Sequence, residues 1–82
     1  MNAEHEKAIR AYLKSRFRGY RDDLSIDDSL KTVVDSIGQF EVVEFLETTF
    51  GFQLPNEEFH PDRFSTIARI GEVIVQFAPP AG

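Results

Sequence analysis

Residues 35–51 read Asp-Ser-Ile-Gly-Gln-Phe-Glu-Val-Val-Glu-Phe-Leu-Glu-Thr-Thr-Phe-Gly. The stretch carries a helix start, a helical period and a helix stop in order. Asp35 is a good N-cap, because its carboxylate can accept one of the backbone N–H groups that a first turn leaves unpaired. Ile37, Phe40, Val43, Leu46 and Phe50 recur at spacings of three and four, and Val42 and Phe45 widen the stripe, as suits a helix packed on more than one neighbour. Gly51 suits the left-handed position after the last turn, with Phe52 folding back onto it. A helix is therefore expected from about Ser36 to Phe50.

Two further helices flank it. In residues 3–17, Ile9, Tyr12, Leu13 and Phe17 fall on one side and Lys7, Arg10 and Lys14 on the other. Arg16 and Arg18 favour its C-terminal end, and Gly19 suits its stop. Near the C-terminus Ser65 is expected to cap a helix lined by Ile67, Ile70, Val73, Ile74 and Phe77. Pro61 is placed to open a short helical turn through Phe64, and Leu54, preceding Pro55, is expected to be extended. Residues 19–35 form a long polar connection. Loops of that length are uncommon in small domains, so Leu24, Ile26, Leu30 and Val33 are expected to pin it across the helices, with a short turn near Asp28–Lys31. No strand-like alternation, internal repeat or low-complexity segment interrupts this pattern. The expected fold is all-α: three main helices, one short helix and a long first loop, with one domain over residues 1–78 and a frayed tail at 79–82.

Composition narrows the function. Eighty-two residues make one domain. A 41 % hydrophobic content with eight phenylalanines suffices for a core. With no cysteine, a disulfide framework, a thiolate metal site and a cysteine nucleophile are excluded. The net charge of −5 argues against nucleic acid. No apolar run approaches the ~18 residues of a membrane span, and residues 1–20 are unlike a signal peptide, so the expected location is cytoplasmic. Charge is unevenly spread: residues 1–21 carry six Lys/Arg against Glu4 and Glu6, whereas residues 35–58 carry six carboxylates and no Lys or Arg. Such an acidic patch steers basic partners, or is a solvated helix face.

Catalytic constellations are scarce. His5 and His60 are the two histidines, one near a terminus and one in a loop, and both are expected at the surface. Ser36, His60 and Asp35 form no credible triad, because Asp35 and Ser36 are sequence neighbours and nothing supplies an oxyanion hole. Asp22, Asp23, Asp27 and Asp28 lack the spacing, glycine and closing glutamate of a calcium loop. No glycine-rich phosphate loop is present. No metal site is expected, and the chain is not expected to be an enzyme.

What remains is Asp35-Ser36-Ile37-Gly38 opening an acidic helix. Here the chain resembles the phosphopantetheine-dependent carrier-protein superfamily, acyl carrier proteins in particular, whose attachment motif is Asp-Ser-Leu at the start of the second helix. The resemblance runs from about Ser29 to Phe77. Val34–Gly38 matches the attachment motif, Glu41–Glu47 the acidic recognition helix, and Phe50–Pro55 with Glu57-Glu58 the turn that follows it. Pro61–Phe64 and Ser65–Ile70 resemble the last helices of some discrete carriers. The sequence departs from the pattern at Ile37, where leucine is usual, and at Gly38, where many fatty-acid carriers have an acidic residue. The approach to Asp35 lacks the common glycine and is slightly short. These departures point to a specialised pathway.

The resemblance implies a four-helix bundle of acyl-carrier type and a covalent 4'-phosphopantetheine arm on Ser36. A Mg²⁺-dependent phosphopantetheinyl transferase would install it from coenzyme A, and the arm's thiol would hold acyl intermediates as thioesters in fatty-acid, polyketide or other specialised biosynthesis. The residues support this independently: if Asp35 caps the helix, the Ser36 hydroxyl is free in its first turn, at the positive end of the dipole. The implied docking set for the transferase and for acyl-loading and acyl-processing enzymes with basic patches is Ile37, Glu41, Val42, Glu44 and Glu47. Glu41, Glu44 and Glu47 recur every third residue as one acidic strip; their alternative reading is solvation, and that of Val42 and Phe45 is core packing. Two other functions stay open: an aminoacyl or peptidyl carrier, such as a D-alanyl carrier, using the same Ser36, and an unmodified acidic helical adaptor. A discrete monomer is expected, with an excised synthase domain as the alternative.

Overall fold

The computed structural model describes residues 1–79. Its order is α1 (Ala3–Arg16), α2 (Ser36–Phe50), two short 3₁₀ turns (Asn56–Glu58 and Pro61–Phe64) and α3 (Ile67–Phe77), with no strand among the described residues. The fold is all-α. Of the tail expected at residues 79–82, Pro79 is exposed and the rest lies outside the described residues.

Each helix begins on a side-chain cap. Asn2 accepts from the N–H groups of Glu4 and His5 to start α1, Asp35 accepts from that of Gly38 to start α2, and Thr66 accepts from that of Arg69 to start α3. Ser65 was the expected cap of α3; it lies one residue too early. Its backbone is helical (φ −79°, ψ −21°), its hydroxyl donates to the Asp62 carbonyl, and its own carbonyl accepts from Leu30. Helix α2 ends on Gly51, left-handed at φ 72°, whose N–H and that of Phe52 both reach the Glu47 carbonyl. Gly19 plays no such part: α1 stops at an extended Phe17, and Gly51 is the one positive-φ glycine among the described residues.

The core consists of Ile9 and Leu13 of α1, Leu30 and Val34 of the first loop, Val42 and Leu46 of α2, Phe64, and Ile67, Ile70, Val73 and Ile74 of α3. Each such side chain contributes about 1.5–3 kcal/mol by leaving water. The first loop is held as its spaced apolar residues foretell, and also by polar contacts. Leu30 N–H donates to the Ser65 carbonyl and Ala68 N–H to the Ile26 carbonyl. Arg10, expected on the solvent side of α1, instead folds onto the loop, donating to Glu6 Oε2 (2.8 Å), Tyr20 Oη (3.2 Å) and the Leu24 carbonyl (2.8 Å).

In α2 the buried line is Gly38, Val42 and Leu46. Ile37 and Phe40, read from sequence as part of the apolar stripe, are 72 % and 63 % exposed. Gly38 explains the rotation. Phe17 and Val34 press so close that a Cβ at residue 38 would come within 2.9 Å of the Phe17 ring and 3.0 Å of a Val34 methyl. The missing side chain lets α2 seat that face inward and turns Ile37 and Phe40 outward.

Candidate functional site

The start of α2 lies where the first loop ends and beside the Pro61–Phe64 turn. Asp35 is extended (φ −83°, ψ −177°), and its Oδ1 accepts from Gly38 N–H at 2.6 Å. The cap is thus supplied by Asp35, and Ser36 follows as the first helical residue, exposed, with no hydrogen bond to its hydroxyl among the described residues. An open groove of about 400 Å³ adjoins it. Lys31, Gln39 and Ser65 supply polar groups to that groove, and Val34, Pro61 and Phe64 supply apolar wall.

The exposed apolar residues of α2 gather at this end. Ile37 is adjacent to Ser36. Phe40, one turn on, stacks against Phe59 with ring centroids 4.9 Å apart and 7° between planes, and Phe59 stacks in turn on the buried Phe64 at 5.4 Å. The ring ladder runs from the surface beside Ser36 into the core.

The three glutamates expected to act together meet different surroundings. Glu41 pairs with Arg16 at 3.0 Å, joining the end of α1 to α2, and that hydrogen bond raises the guanidinium pKa. Glu47 reaches past the end of its helix to the turn that follows, its Oε2 accepting from Leu54 N–H at 2.7 Å. Glu44 is exposed and has no partner among the described residues. Val42, expected in the partner-facing set, is 2 % exposed and belongs to the core. Its position four residues from Gly38 and from Leu46 puts it on the inward face, so it is not available to a partner. Phe45 stacks on Tyr12 at 4.2 Å across the seam between α1 and α2.

Tyr12 closes that seam. Its hydroxyl donates to the Glu41 carbonyl at 3.1 Å, and burial, reinforced by the Glu41 charge, raises its pKa. His60 is exposed. His5, expected at the surface, is half-buried with its ring edge on Phe50 at 5.3 Å and its Nδ1 enclosed without a partner. Neither histidine lines the groove beside Ser36. No group of three or more His, Cys, Asp or Glu suited to a metal ion occurs among the described residues. No helix among them is long and apolar enough to cross a membrane.

Asp35, Ser36 and Ile37 are chain neighbours at the start of α2, and Ile37, counted from the sequence in the apolar stripe, stands exposed there beside Ser36. Lys31 in the groove, the Phe40–Phe59 stack and the Arg16–Glu41 pair were not foreseen from the sequence. Gly38 was the available signal for the stack: a glycine inside an apolar helix marks a close approach, and thereby the inward face. No family model, curated protein or solved structure matches the chain.

Proposed function

We propose that the chain is an acyl carrier protein, a non-enzymatic domain that receives 4'-phosphopantetheine on Ser36. One observation carries the reading: Asp35 caps α2, so Ser36 Oγ stands exposed and uncommitted in the first turn of a 15-residue helix. The Pro61–Phe64 turn would be the short helix of a four-helix bundle of acyl-carrier type, packed between α2 and α3.

The residues fit the group. Ser36 offers a nucleophilic hydroxyl that a transferase can approach from solvent. The amide of Gln39, the hydroxyl of Ser65 and the apolar wall of Val34 and Phe64 suit an arm that alternates amide and aliphatic segments. In the transfer, Ser36 Oγ would form a bond to the phosphorus next to the pantetheine, the pyrophosphate P–O bond of coenzyme A would break, and adenosine 3',5'-bisphosphate would leave. The hydroxyl proton would pass to a base of the transferase; neither His5 nor His60 lines the groove. When bound, the arm supplies a thiol for thioester cargo. Asp35 fixes the turn that presents Ser36, and the N-terminal dipole of α2 favours the resulting phosphodiester.

Incubation with coenzyme A, Mg²⁺ and a promiscuous phosphopantetheinyl transferase, followed by peptide fragmentation, tests the assignment. One phosphopantetheine on the peptide bearing Ser36 supports it; a modification at Ser29 or Ser65 instead refutes it.

A further inference from the structure

Cysteine and tryptophan are absent and Met1 is the one methionine, so a single thioether is the chain's soft target for peroxide. Met1 is 52 % exposed, which leaves its side chain open to solvent. It is nonetheless seated, lying across Gly71 of α3. From the position a Cβ would take on that glycine, the Met1 methyl stands at 2.8 Å, the sulfur at 3.5 Å and Cγ at 3.6 Å. Gly71 is buried in mid-helix, where glycine lowers helix stability relative to alanine. Its bare Cα is what admits the thioether so closely. An open groove of about 330 Å³ continues from this seat, walled by Met1, Ile26, Ala68, Gly71 and Val75. None of its residues lines the groove beside Ser36. Asn2, next to Met1 in the chain, caps α1 by accepting from Glu4 and His5 N–H, and the Ile26 carbonyl accepts from Ala68 N–H. Met1 thus lies where the start of α1, the first loop and α3 meet.

We infer that Met1 is a site of reversible sulfoxidation, and that its oxidation unseats it from Gly71 and uncovers an apolar strip of α3. In the step, a sulfur lone pair attacks one oxygen of hydrogen peroxide, the O–O bond breaks and an S–O bond forms. The proton on the transferred oxygen passes to the departing hydroxide, which leaves as water; sulfur loses two electrons and peroxide gains them. A methionine sulfoxide reductase reverses the change. The thioether is unbranched, apolar and polarizable, which suits the narrow space over a bare Cα. The sulfoxide is polar and branched at sulfur, so its contact with Gly71 no longer offsets the ordering of a long, flexible side chain. Release leaves Ala68 and Gly71 open beside Val75, which is already 70 % exposed.

The test treats the full chain with dilute hydrogen peroxide, maps the product by peptide fragmentation and measures urea unfolding before and after. One oxygen is expected on the peptide bearing Met1, with the unfolding equilibrium constant raised about fivefold and restored by methionine sulfoxide reductases acting on both epimers. Hydrogen exchange should quicken at the Glu4, His5 and Ala68 N–H groups. A chain in which norleucine replaces the one methionine keeps the side-chain shape and has no sulfur to oxidise, so peroxide should leave its unfolding unchanged. Gly71→Ala puts a Cβ 2.8 Å from the Met1 methyl, the end of a flexible side chain that yields to it, so the fold holds. With the seat filled, oxidation should change the unfolding equilibrium of that variant less than about twofold. An oxygen carried on any other peptide, or a Met1 sulfoxide that leaves unfolding and exchange as they were, would overturn the inference. So would an equal loss in oxidised Gly71→Ala or in the peroxide-treated norleucine chain, because the loss would then arise away from the seat.

Discussion

The ring of Phe17 lies against the bare Cα of Gly38, so closely that a methyl group there would stand 2.9 Å from Cε1. This contact joins the end of α1 to the first turn of α2 and fixes which face of α2 points inward. Ser36 and Ile37 are exposed because Gly38 is not.

Gly38→Ala is therefore expected to destabilise the chain by about 1–2 kcal/mol in urea unfolding, although alanine gains about 1 kcal/mol in helix propensity. Phe17→Leu should relieve part of that loss, so the double variant loses less than the two single losses together. Additive losses would separate Gly38 from Phe17.

Asp35→Ala removes the one side-chain cap of α2 and should cost about 1 kcal/mol by the same measurement, whereas Asp35→Asn keeps an acceptor and should cost less. Because Asp35 also sets the turn that presents Ser36, Asp35→Ala is expected to slow transfer more than Asp35→Asn. Equal rates in the two variants would divorce the cap from presentation.

Arg10 ties α1 to the first loop through Glu6, Tyr20 and the Leu24 carbonyl. Arg10→Met keeps the aliphatic stem but strands the Leu24 carbonyl, and a loss of about 1–3 kcal/mol is expected. Hydrogen exchange should quicken first in residues 20–26, ahead of α3.

Burial raises the pKa of Tyr12 above its ordinary value of 10.0. A group whose folded pKa is raised stabilises the fold fully below its unfolded value, and that contribution fades as pH climbs through the folded value. Stability should therefore decline above about pH 10 as Tyr12 is forced to ionise. Tyr12→Phe should soften that decline, read by absorbance of the phenolate together with urea midpoints. An identical alkaline profile in Tyr12→Phe would contradict the burial of this hydroxyl.

Local chemistry made much of this architecture readable. Asp35 and Gly51 mark the ends of α2 because a cap and a left-handed stop depend on single residues. The apolar faces of α1 and α3 follow from their spacing, as Leu13 and Ile70 demonstrate by being wholly buried. What escaped depends on tertiary approach. The period of α2 admitted Ile37 and Phe40 to the core until Gly38 drew Phe17 and Val34 to its own side. Ser65 and Thr66 are both competent caps, and the choice was made by Leu30, which engages the Ser65 carbonyl. Arg10 reads as a surface cation until a loop passes over it. The corner at Ser36 was legible because its capping logic is local, while the division of labour among Glu41, Glu44 and Glu47 depends on Arg16 and Leu54, which α1 and the turn after α2 bring to them.

The central claim is that Ser36 carries the arm, and intact mass measures it most directly. Wild-type chain and Ser36→Ala are incubated side by side with coenzyme A, Mg²⁺ and a promiscuous transferase, their helical content first matched by circular dichroism. The account predicts the added mass of one phosphopantetheine on the wild type and none on Ser36→Ala. The same added mass on both chains, or on neither, would contradict it.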